Sequence, residues 1–389
     1  MKISYKIAIP IILLPMILIG SLSLWIIFSL NESREISTIE EGDALEDDEE
    51  QAPEDQNDDP EEENDKDVEE EPKEETPQEI DEKQAFIDDL RKDVLPVSTN
   101  PNDYNFNEMD DVSQDFAIPD LSFHIEDNTL FIGTTNQRGS LPAGNDYVTL
   151  FNSLNLTDIV ILDSIENLPQ GFLRGGGITN LYLGDTITDI DAFAATGGAL
   201  EKIQFGEEVT RIGRYAFTNN ELQGYLAIPP KVSVIEKRSF SFNHIDYVDL
   251  SNVEEIEDNA FSFNNLVYLD IPDTTERIGK TAFLPKSFNN QEEIHIRSVS
   301  FGENLRIIER EAFMNQQIPR LEFPETLEFL GDGAFRQVPV ETLVIPSEEV
   351  IMGNRVFTSN IENVDLSGKI LASGHNTIQD LENYILVSD

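Results

Sequence analysis

A seven-residue motif recurs along the C-terminal part of this chain and constrains its fold more than any other feature. "RIGRYAF" at Arg211–Phe217 returns as "RIGKTAF" at Arg277–Phe283 and "IIEREAF" at Ile307–Phe313. Beginning at Phe172, successive motif phenylalanines lie 21, 24, 23, 21, 22, 30, 22 and 22 residues apart. Such a period is typical of solenoids, in which each unit buries its apolar side only against its neighbours. The predicted repeat core consists of Phe193, Phe217, Phe240, Phe261, Phe283, Phe313, Phe335 and Phe357.

Each repeat also carries a short alternating stretch upstream of its phenylalanine. Examples are "KIQFG" at Lys202–Gly206, "YLAIP" at Tyr225–Pro229 and "YVDLS" at Tyr247–Ser251. Alternation of apolar and polar residues that ends at a turn residue predicts a very short strand. The single gap of 30 residues requires an insertion, which we assign to a loop at Leu284–Gln291.

The full pattern, L-x-x-[IV]-x-[IL]-P-x-x-[VL]-x-x-I-G-x-x-A-F-x-x-N, resembles the BspA-type leucine-rich repeat proteins of bacterial surfaces. The resemblance covers residues 154–367 and implies an α/β repeat solenoid with short parallel strands on its concave face. We expect no asparagine ladder of the kind found in commoner leucine-rich repeats. We also predict an N-terminal cap over 118–153, in which Ser122–Ile125 pairs with Asp127–Gly133, and a C-terminal cap over 368–389.

The N-terminus predicts a membrane anchor. Two lysines precede Ile7–Leu30, an uncharged apolar run of 24 residues, and a spanning helix needs about 20 such residues. We therefore predict a cytoplasmic tail at 1–6, a retained transmembrane signal anchor at 7–30, and a single-pass membrane protein with its C-terminal domain outside the cell. A long signal peptide cut near Gly20–Ser23 is the alternative, and it would make the protein secreted.

A strongly acidic linker follows at residues 31–83. Between Glu32 and Lys83 there are 27 Asp or Glu against four Lys or Arg. Such a segment cannot bury enough apolar surface to fold, so we expect a disordered spacer, which would also attract cations or basic polymers. Residues 84–117 are expected to form a short helix, with Phe86, Leu90 and Val94 on one face, and then a loop.

Composition excludes several functional classes. The net charge of −50 argues against a nucleic-acid partner, since phosphate binding needs clustered Lys and Arg. Without Cys there are no disulfides and no cysteine nucleophile,. The histidines, namely His124, His244, His295 and His375, have no zinc-binding spacing, and no catalytic motif occurs,. We therefore predict a non-enzymatic protein with no catalytic residues, metal site or cofactor.

The strand pattern predicts one candidate binding surface. Tyr225, Tyr247 and Tyr268 share an outward position in three successive repeats, with Asp249 and Asp270 two residues after the second and third tyrosines. An aromatic stripe with an acidic edge suits an extended peptide, a basic segment or a glycan. The alternative is that the tyrosine rings only stabilise neighbouring strands.

The predicted function is therefore cell-surface recognition or adhesion through a protein or glycan partner. A substrate-docking component of a cell-envelope hydrolase system and a purely structural envelope spacer are the alternatives.

Overall fold

The computed structural model describes residues 77–372, apart from 95, 107, 114–119, 135–138, 145–147, 287–294, 348, 359–360, 362 and 367–368. The chain divides into two compact units, Met1–Glu71 and Pro72–Asp389, and every described residue belongs to the second. The predicted tail, the membrane anchor at Ile7–Leu30, most of the acidic linker and most of the C-terminal cap lie outside the described residues. Within the described part of the chain, no helix is long and apolar enough to cross a membrane.

Among the described residues, two α-helices and one 3₁₀-helix precede the repeats. Helix α1 spans Pro77–Arg91, the 3₁₀-helix spans Pro101–Asp103, and helix α2 spans Val148–Ser153. The predicted linker boundary at Lys83 was wrong, because α1 already begins at Pro77, a residue that suits the first turn of a helix. The helix ends before Val94, which is therefore 50% exposed instead of packed.

The strands are short and alternate between two faces. In chain order they are β1 Asp110–Asp111, β2 Leu121–Glu126, β3 Thr129–Thr134, β4 Asp158–Ile161, β5 Asn167–Leu168, β6 Asn180–Leu183, β7 Asp189–Ile190, β8 Lys202–Gln204, β9 Arg211–Ile212, β10 Gln223–Ala227, β11 Val234–Ile235, β12 His244–Asp249, β13 Glu255–Ile256, β14 Tyr268–Asp270, β15 Arg277–Ile278, β16 Ser298–Ser300, β17 Ile307–Ile308, β18 Arg320–Glu322, β19 Phe329–Leu330, β20 Thr342–Ile345, β21 Glu349–Met352, β22 Asn363–Leu366 and β23 Lys369–Ala372.

The first face consists of β1–β4 and the even-numbered strands from β6 to β22. It is hydrogen-bonded in four sections, β1-β2-β3-β4-β6-β8, β10-β12, β14-β16 and β18-β20-β22. The second face consists of the odd-numbered strands from β5 to β23, which form one continuous parallel sheet. The predicted parallel solenoid is therefore confirmed. The predicted α/β character is wrong for the repeats, because the described part of residues 154–372 contains no α-helix and each repeat returns through a short strand.

The predicted capping hairpin is confirmed. Strands β2 and β3 pair antiparallel, with Phe123 opposite Ile132, and β3 then pairs in parallel with β4. Both side chains are fully buried, so the hairpin closes the N-terminal end of the solenoid core.

The core is built around a stack of phenylalanine rings. The rings of neighbouring repeats lie 5.1–5.8 Å apart, centroid to centroid, and are nearly parallel from Phe217 to Phe357. The step from Phe283 to Phe313 is 5.1 Å although it crosses the 30-residue gap. The extra residues therefore leave the stack undisturbed, as expected for a loop insertion.

The backbone of the phenylalanine turn fixes the register of this stack. Tyr215 and Asn219, on either side of Phe217, have left-handed φ angles of 59° and 57°. In this turn every second N–H donates to the next repeat: Tyr215 N to the carbonyl of Lys237 at 3.0 Å and Phe217 N to that of Ser239 at 2.8 Å. Each turn is thus hydrogen-bonded to its neighbour, which a single repeat cannot achieve.

Phe193 does not belong to the core stack, and its predicted core role was wrong. It has the left-handed φ of 59° that Tyr215 has, and its ring stacks on the Tyr215 ring at 4.9 Å. Its N–H donates to the carbonyl of Arg214, the residue before Tyr215. Phe193 therefore occupies the position of Tyr215 in the turn, two residues before the position of the core phenylalanine. Ala194 and Ala195 occupy the fully buried positions of this repeat.

A ladder of buried amide side chains runs beside the ring stack. The Asn243 amide nitrogen donates to the carbonyls of Phe217 at 2.9 Å and Phe240 at 3.1 Å, and its oxygen accepts from Leu222 N at 3.1 Å. The expectation of no asparagine ladder was therefore wrong, since the asparagine that ends the A-F-x-x-N motif bonds two repeats together. The equivalent residues are Asn220, Asn264 and Gln316.

The glycine of the I-G motif is required by the neighbouring backbone. A Cβ atom on Gly279 would lie 2.6 Å from both the nitrogen of Asp258 and the carbonyl carbon of Glu257. Real Cβ contacts are essentially never this short, and backbone cannot move aside as a flexible side chain can. The motif thus combines a buried isoleucine and phenylalanine with a close approach between repeats.

We predict that Phe261→Ala lowers the free energy of unfolding by about 3–5 kcal/mol, the usual cost of emptying a buried aromatic site. Phe193→Ala is the matched control and should cost no more than about 1.5 kcal/mol, because it loses mainly one stacking contact. Chemical denaturation measures both changes. Equal losses for the two variants would contradict the assigned register.

We also predict that Asn243→Ala destabilises the protein by about 2–4 kcal/mol, since it leaves buried backbone groups of two repeats without a partner. Asn265→Ala, at a half-buried position next to the ladder residue Asn264, should change the free energy of unfolding by about 0.5 kcal/mol or less. Urea denaturation monitored by circular dichroism distinguishes the two, and a loss for Asn243→Ala as small as that of the control would show that the ladder is not stabilising.

Candidate functional site

The predicted binding residues lie together on the first face, on β10, β12 and β14. Tyr225 and Tyr247 are directly opposite each other in the parallel pair β10–β12, and their rings stack at 5.7 Å. Leu226 and Val248, one residue further along each strand, are buried in the core. The alternation of these strands therefore places the tyrosines on the outer side of the sheet, as the sequence predicts.

Each of the first two tyrosines is bonded to an aspartate on the following strand. The Tyr225 hydroxyl donates to Asp249 Oδ2 at 2.7 Å, and the Tyr247 hydroxyl donates to Asp270 Oδ2 at 3.0 Å. We call Tyr225, Tyr247, Tyr268, Asp249 and Asp270 the tyrosine–aspartate patch. Although Tyr247 lies at the predicted outward position, it is buried and retains only 7% of its surface.

The two aspartates are held in their charged form. Burial works to raise the pKa of Asp270, but hydrogen bonds from Lys83 and Ser300 outweigh it and lower the pKa below its usual value. Burial likewise opposes ionisation of Asp249, and hydrogen bonds from Ser251 and Tyr225 lower its pKa. Burial, and then the charge of Asp270, raise the pKa of Tyr247. At neutral pH the patch therefore carries two negative charges beside neutral hydroxyl donors.

Helix α1 lies across this patch and supplies cations to both aspartates. Lys83 forms an ion pair with Asp270. The Arg91 guanidinium lies 3.6 Å from Asp249 Oδ2, donates to the Tyr225 hydroxyl at 3.1 Å, and sits 4.9 Å from the centroid of the Tyr225 ring. Both carboxylates of the patch are thus paired with basic side chains of the same chain.

Apolar contacts complete the docking of α1. The Phe86 ring meets the Tyr268 ring edge-on at a centroid distance of 5.4 Å. Ile87, one residue further on, is 5% exposed. The helix thus packs on the solenoid that follows it in the chain, and the surface that it covers is the predicted binding surface.

The segment after α1 continues along the first face towards the N-terminal cap. Val97 exchanges two hydrogen bonds with the Gln204 side chain, Val97 N to Oε1 at 2.8 Å and Nε2 to Val97 O at 2.9 Å. The Thr99 hydroxyl donates to Asp163 Oδ1 at 2.8 Å. Tyr104 packs on Phe131 with a centroid distance of 4.6 Å. Most of the first face from β3 to β14 is therefore lined by residues that precede the solenoid.

Sequence reasoning found the patch and missed Lys83 and Arg91. The available signal was their spacing, since they lie eight residues apart, with Phe86 and Ile87 between them, on one side of a helix in an otherwise acidic segment. A pattern of this kind indicates an amphipathic helix with a cationic stripe. It does not indicate which surface the helix contacts.

No group of three or more potential metal-ligating side chains comes together among the described residues. His244 Nε2 lies 2.8 Å from Glu221 Oε2, and the His244 ring also contacts Lys286 Nζ, at the edge of the first face. The chemistry available at the patch is therefore charge pairing, hydrogen bonding and aromatic stacking.

The fold and the repeat pattern define a parallel solenoid of the leucine-rich type. Residues 145–249, 169–289 and 285–384 match the family model for the BspA type leucine rich repeat region, with six copies. These matches together cover more than half of the chain. The chain belongs to the BspA-type leucine-rich repeat family. A search of curated protein sequences finds no match.

Similar solved structures come from bacteria. A leucine-rich repeat protein from Bacteroides ovatus is 22% identical over 67% of this chain and 67% of its own length, with a TM-score of 0.46. One from Eubacterium ventriosum is 12% identical over 64% of this chain and 83% of its own, with a TM-score of 0.38. A leucine rich cell surface protein from Faecalibacterium prausnitzii is 16% identical over 69% of this chain and 96% of its own, with a TM-score of 0.23.

We predict that Asp249→Asn/Asp270→Asn loosens α1 without unfolding the solenoid. Loss of two partly exposed ion pairs, each contributing about 0.2–1 kcal/mol, should speed amide hydrogen exchange in residues 84–91 by about three- to tenfold. Glu322→Gln, an exposed acid on β18 whose ion-pair partner is Arg320, is the control. Unchanged exchange in the double variant would mean that the aspartates do not hold the helix.

Proposed function

We propose that this protein is a non-enzymatic recognition protein of the cell surface, and that it binds a protein or glycan partner through the tyrosine–aspartate patch. The observation that carries the proposal is the arrangement of two tyrosine–aspartate pairs in successive repeats. The pairs hold two charged carboxylates at fixed positions on a rigid sheet, with aromatic rings between them. Aromatic side chains and pre-oriented charges are the usual components of binding hot spots.

The chemistry of the patch favours a cationic partner. Within the chain itself, Lys83 and Arg91 form ion pairs with the two carboxylates, and the Phe86 ring packs against the ring of the third tyrosine. A partner segment with ammonium or guanidinium groups and an aromatic side chain would make the same contacts. Among the partners considered from the sequence, a basic protein segment therefore fits the patch better than a neutral glycan does.

The surface location belongs to the same proposal. Family membership supports it, and the apolar run at Ile7–Leu30 followed by the acidic linker would hold the solenoid away from the membrane. In this arrangement adhesion or partner capture takes place outside the cell, and the solenoid acts as the binding module.

The test measures binding of the full chain to arrays of cationic, neutral and acidic peptides and of bacterial glycans. Because α1 uses the same aspartates, the chains compared all carry Lys83→Gln/Phe86→Ala/Arg91→Gln, which removes the contacts of α1 with the patch. We call this triple substitution the undocking variant. Adding Asp249→Asn/Asp270→Asn should weaken binding of cationic peptides by at least about tenfold, since charge-assisted hydrogen bonds are lost.

Glu322→Gln in the same background is the matched control and should leave binding unchanged. If cationic ligands bind equally well to the control and to the aspartate variant, the recognition site lies elsewhere on the solenoid. If no peptide or glycan binds to any of the chains, the result favours a structural spacer.

A further inference from the structure

Helix α1 carries charges that do not suit the surface on which it lies. It contains five acids, Glu79, Asp81, Glu82, Asp88 and Asp89, all of them exposed, against two basic residues. Residues 92–389 contain 19 Lys or Arg against 47 Asp or Glu, a net charge of −28. Lys83 and Arg91 pair with the two aspartates of the patch, while the excess of acids makes α1 itself negative and therefore opposes its docking on a negatively charged domain.

The solenoid core is complete without α1. The hydrophobic core runs from Leu121 to Phe357 and includes no residue of the helix. The apolar residues of α1 pack on the outer side of the sheet, where the Phe86 ring meets the half-buried Tyr268 ring edge-on. Releasing α1 would therefore expose Ile87 and the patch without opening the core.

The buried and half-buried residues of the Lys83–Arg91 segment, together with Arg91, form one stripe. Lys83, Phe86, Ile87, Leu90 and Arg91 follow the i, i+3, i+4, i+7, i+8 spacing of a single helical face,. Amphipathic helices commonly bind partner surfaces through such a face, with a few anchors at this spacing. The stripe is a recognition pattern that a segment of another protein can also carry.

We propose that α1 is an internal competitor that occupies the tyrosine–aspartate patch, and that the partner is a basic amphipathic helical segment with the same stripe but without the acids. The inference rests on the proposed function and names the partner class for the same site. The partner displaces α1, because it makes the same pairings with Asp249 and Asp270 and avoids the repulsion between acidic helix and acidic solenoid. A site that is open in only a fraction of the molecules binds its partner with an apparent affinity reduced by that fraction.

The test uses a fluorescent peptide of residues 77–91 in which every Glu is replaced by Gln and every Asp by Asn. Its dissociation constant is measured by anisotropy for the full wild-type chain and for the full chain of the undocking variant. We expect the undocking variant to bind the peptide at least about tenfold more tightly, because the internal competitor is weakened. Lys92→Gln, which alters an exposed lysine just beyond α1 that pairs with Asp89, is the matched control and should leave the dissociation constant unchanged.

Displacement is observed directly by hydrogen exchange. Saturating the wild-type chain with the peptide should speed exchange in residues 84–91 of the chain, while the repeats stay protected. A second peptide that also carries Lys83→Gln and Arg91→Gln should leave exchange in residues 84–91 of the chain unchanged.

Equal affinity of the peptide for the wild-type and undocking chains would overturn the proposal. So would tight binding to the wild-type chain with no change in exchange of α1, because the peptide would then occupy another surface. If the peptide fails in these assays while array ligands still depend on Asp249 and Asp270, the internal-competitor inference falls and the proposed function stands.

Discussion

The stacking of one phenylalanine ring on the next is the interaction on which the rest of this structure depends. The rings are 5.1–5.8 Å apart and set the distance between neighbouring repeats. The backbone N–H groups of the turn around each ring donate hydrogen bonds to the next turn. The same spacing brings the first-face strands into register. Tyr225 therefore stacks on Tyr247, and each hydroxyl reaches the aspartate one strand further on. The candidate site is a consequence of the core.

The local pattern predicts the repeats well, because core positions recur with the same neighbours. The motif places Phe217 and Phe261 correctly, and the alternation of β10 and β12 places Tyr225 and Tyr247 on the outer side. Phe193 was misassigned because its repeat has two alanines where most of the others have alanine and phenylalanine, so the nearest phenylalanine was taken for the core residue. The amide ladder was missed because a polar residue in a turn is usually exposed, and only the structure shows that Asn243 is buried against the preceding repeat.

Contacts between distant parts of the chain were beyond sequence reasoning. Lys83 and Asp270 are 187 residues apart, and nothing in the local pattern of either segment indicates the pairing. The start of α1 could not be predicted from composition, because acidic residues continue from the linker into the first turns of the helix. The consequence for function is large, because the surface that the sequence presents as open is covered by the segment that comes directly after the acidic linker.

The central claim is that α1 rests on the tyrosine–aspartate patch and can leave it. Because the chain has no Cys, spin labels can be placed at Gln84→Cys on the outer side of α1 and at Glu325→Cys on the solenoid without competing sites. Pulsed electron paramagnetic resonance measures the distance between the two labels. It should give one narrow distance distribution in the otherwise unaltered chain, and a broad distribution at longer distances when the undocking substitutions are added. A broad distribution before those substitutions are made would contradict the account, as would a narrow one that persists after them.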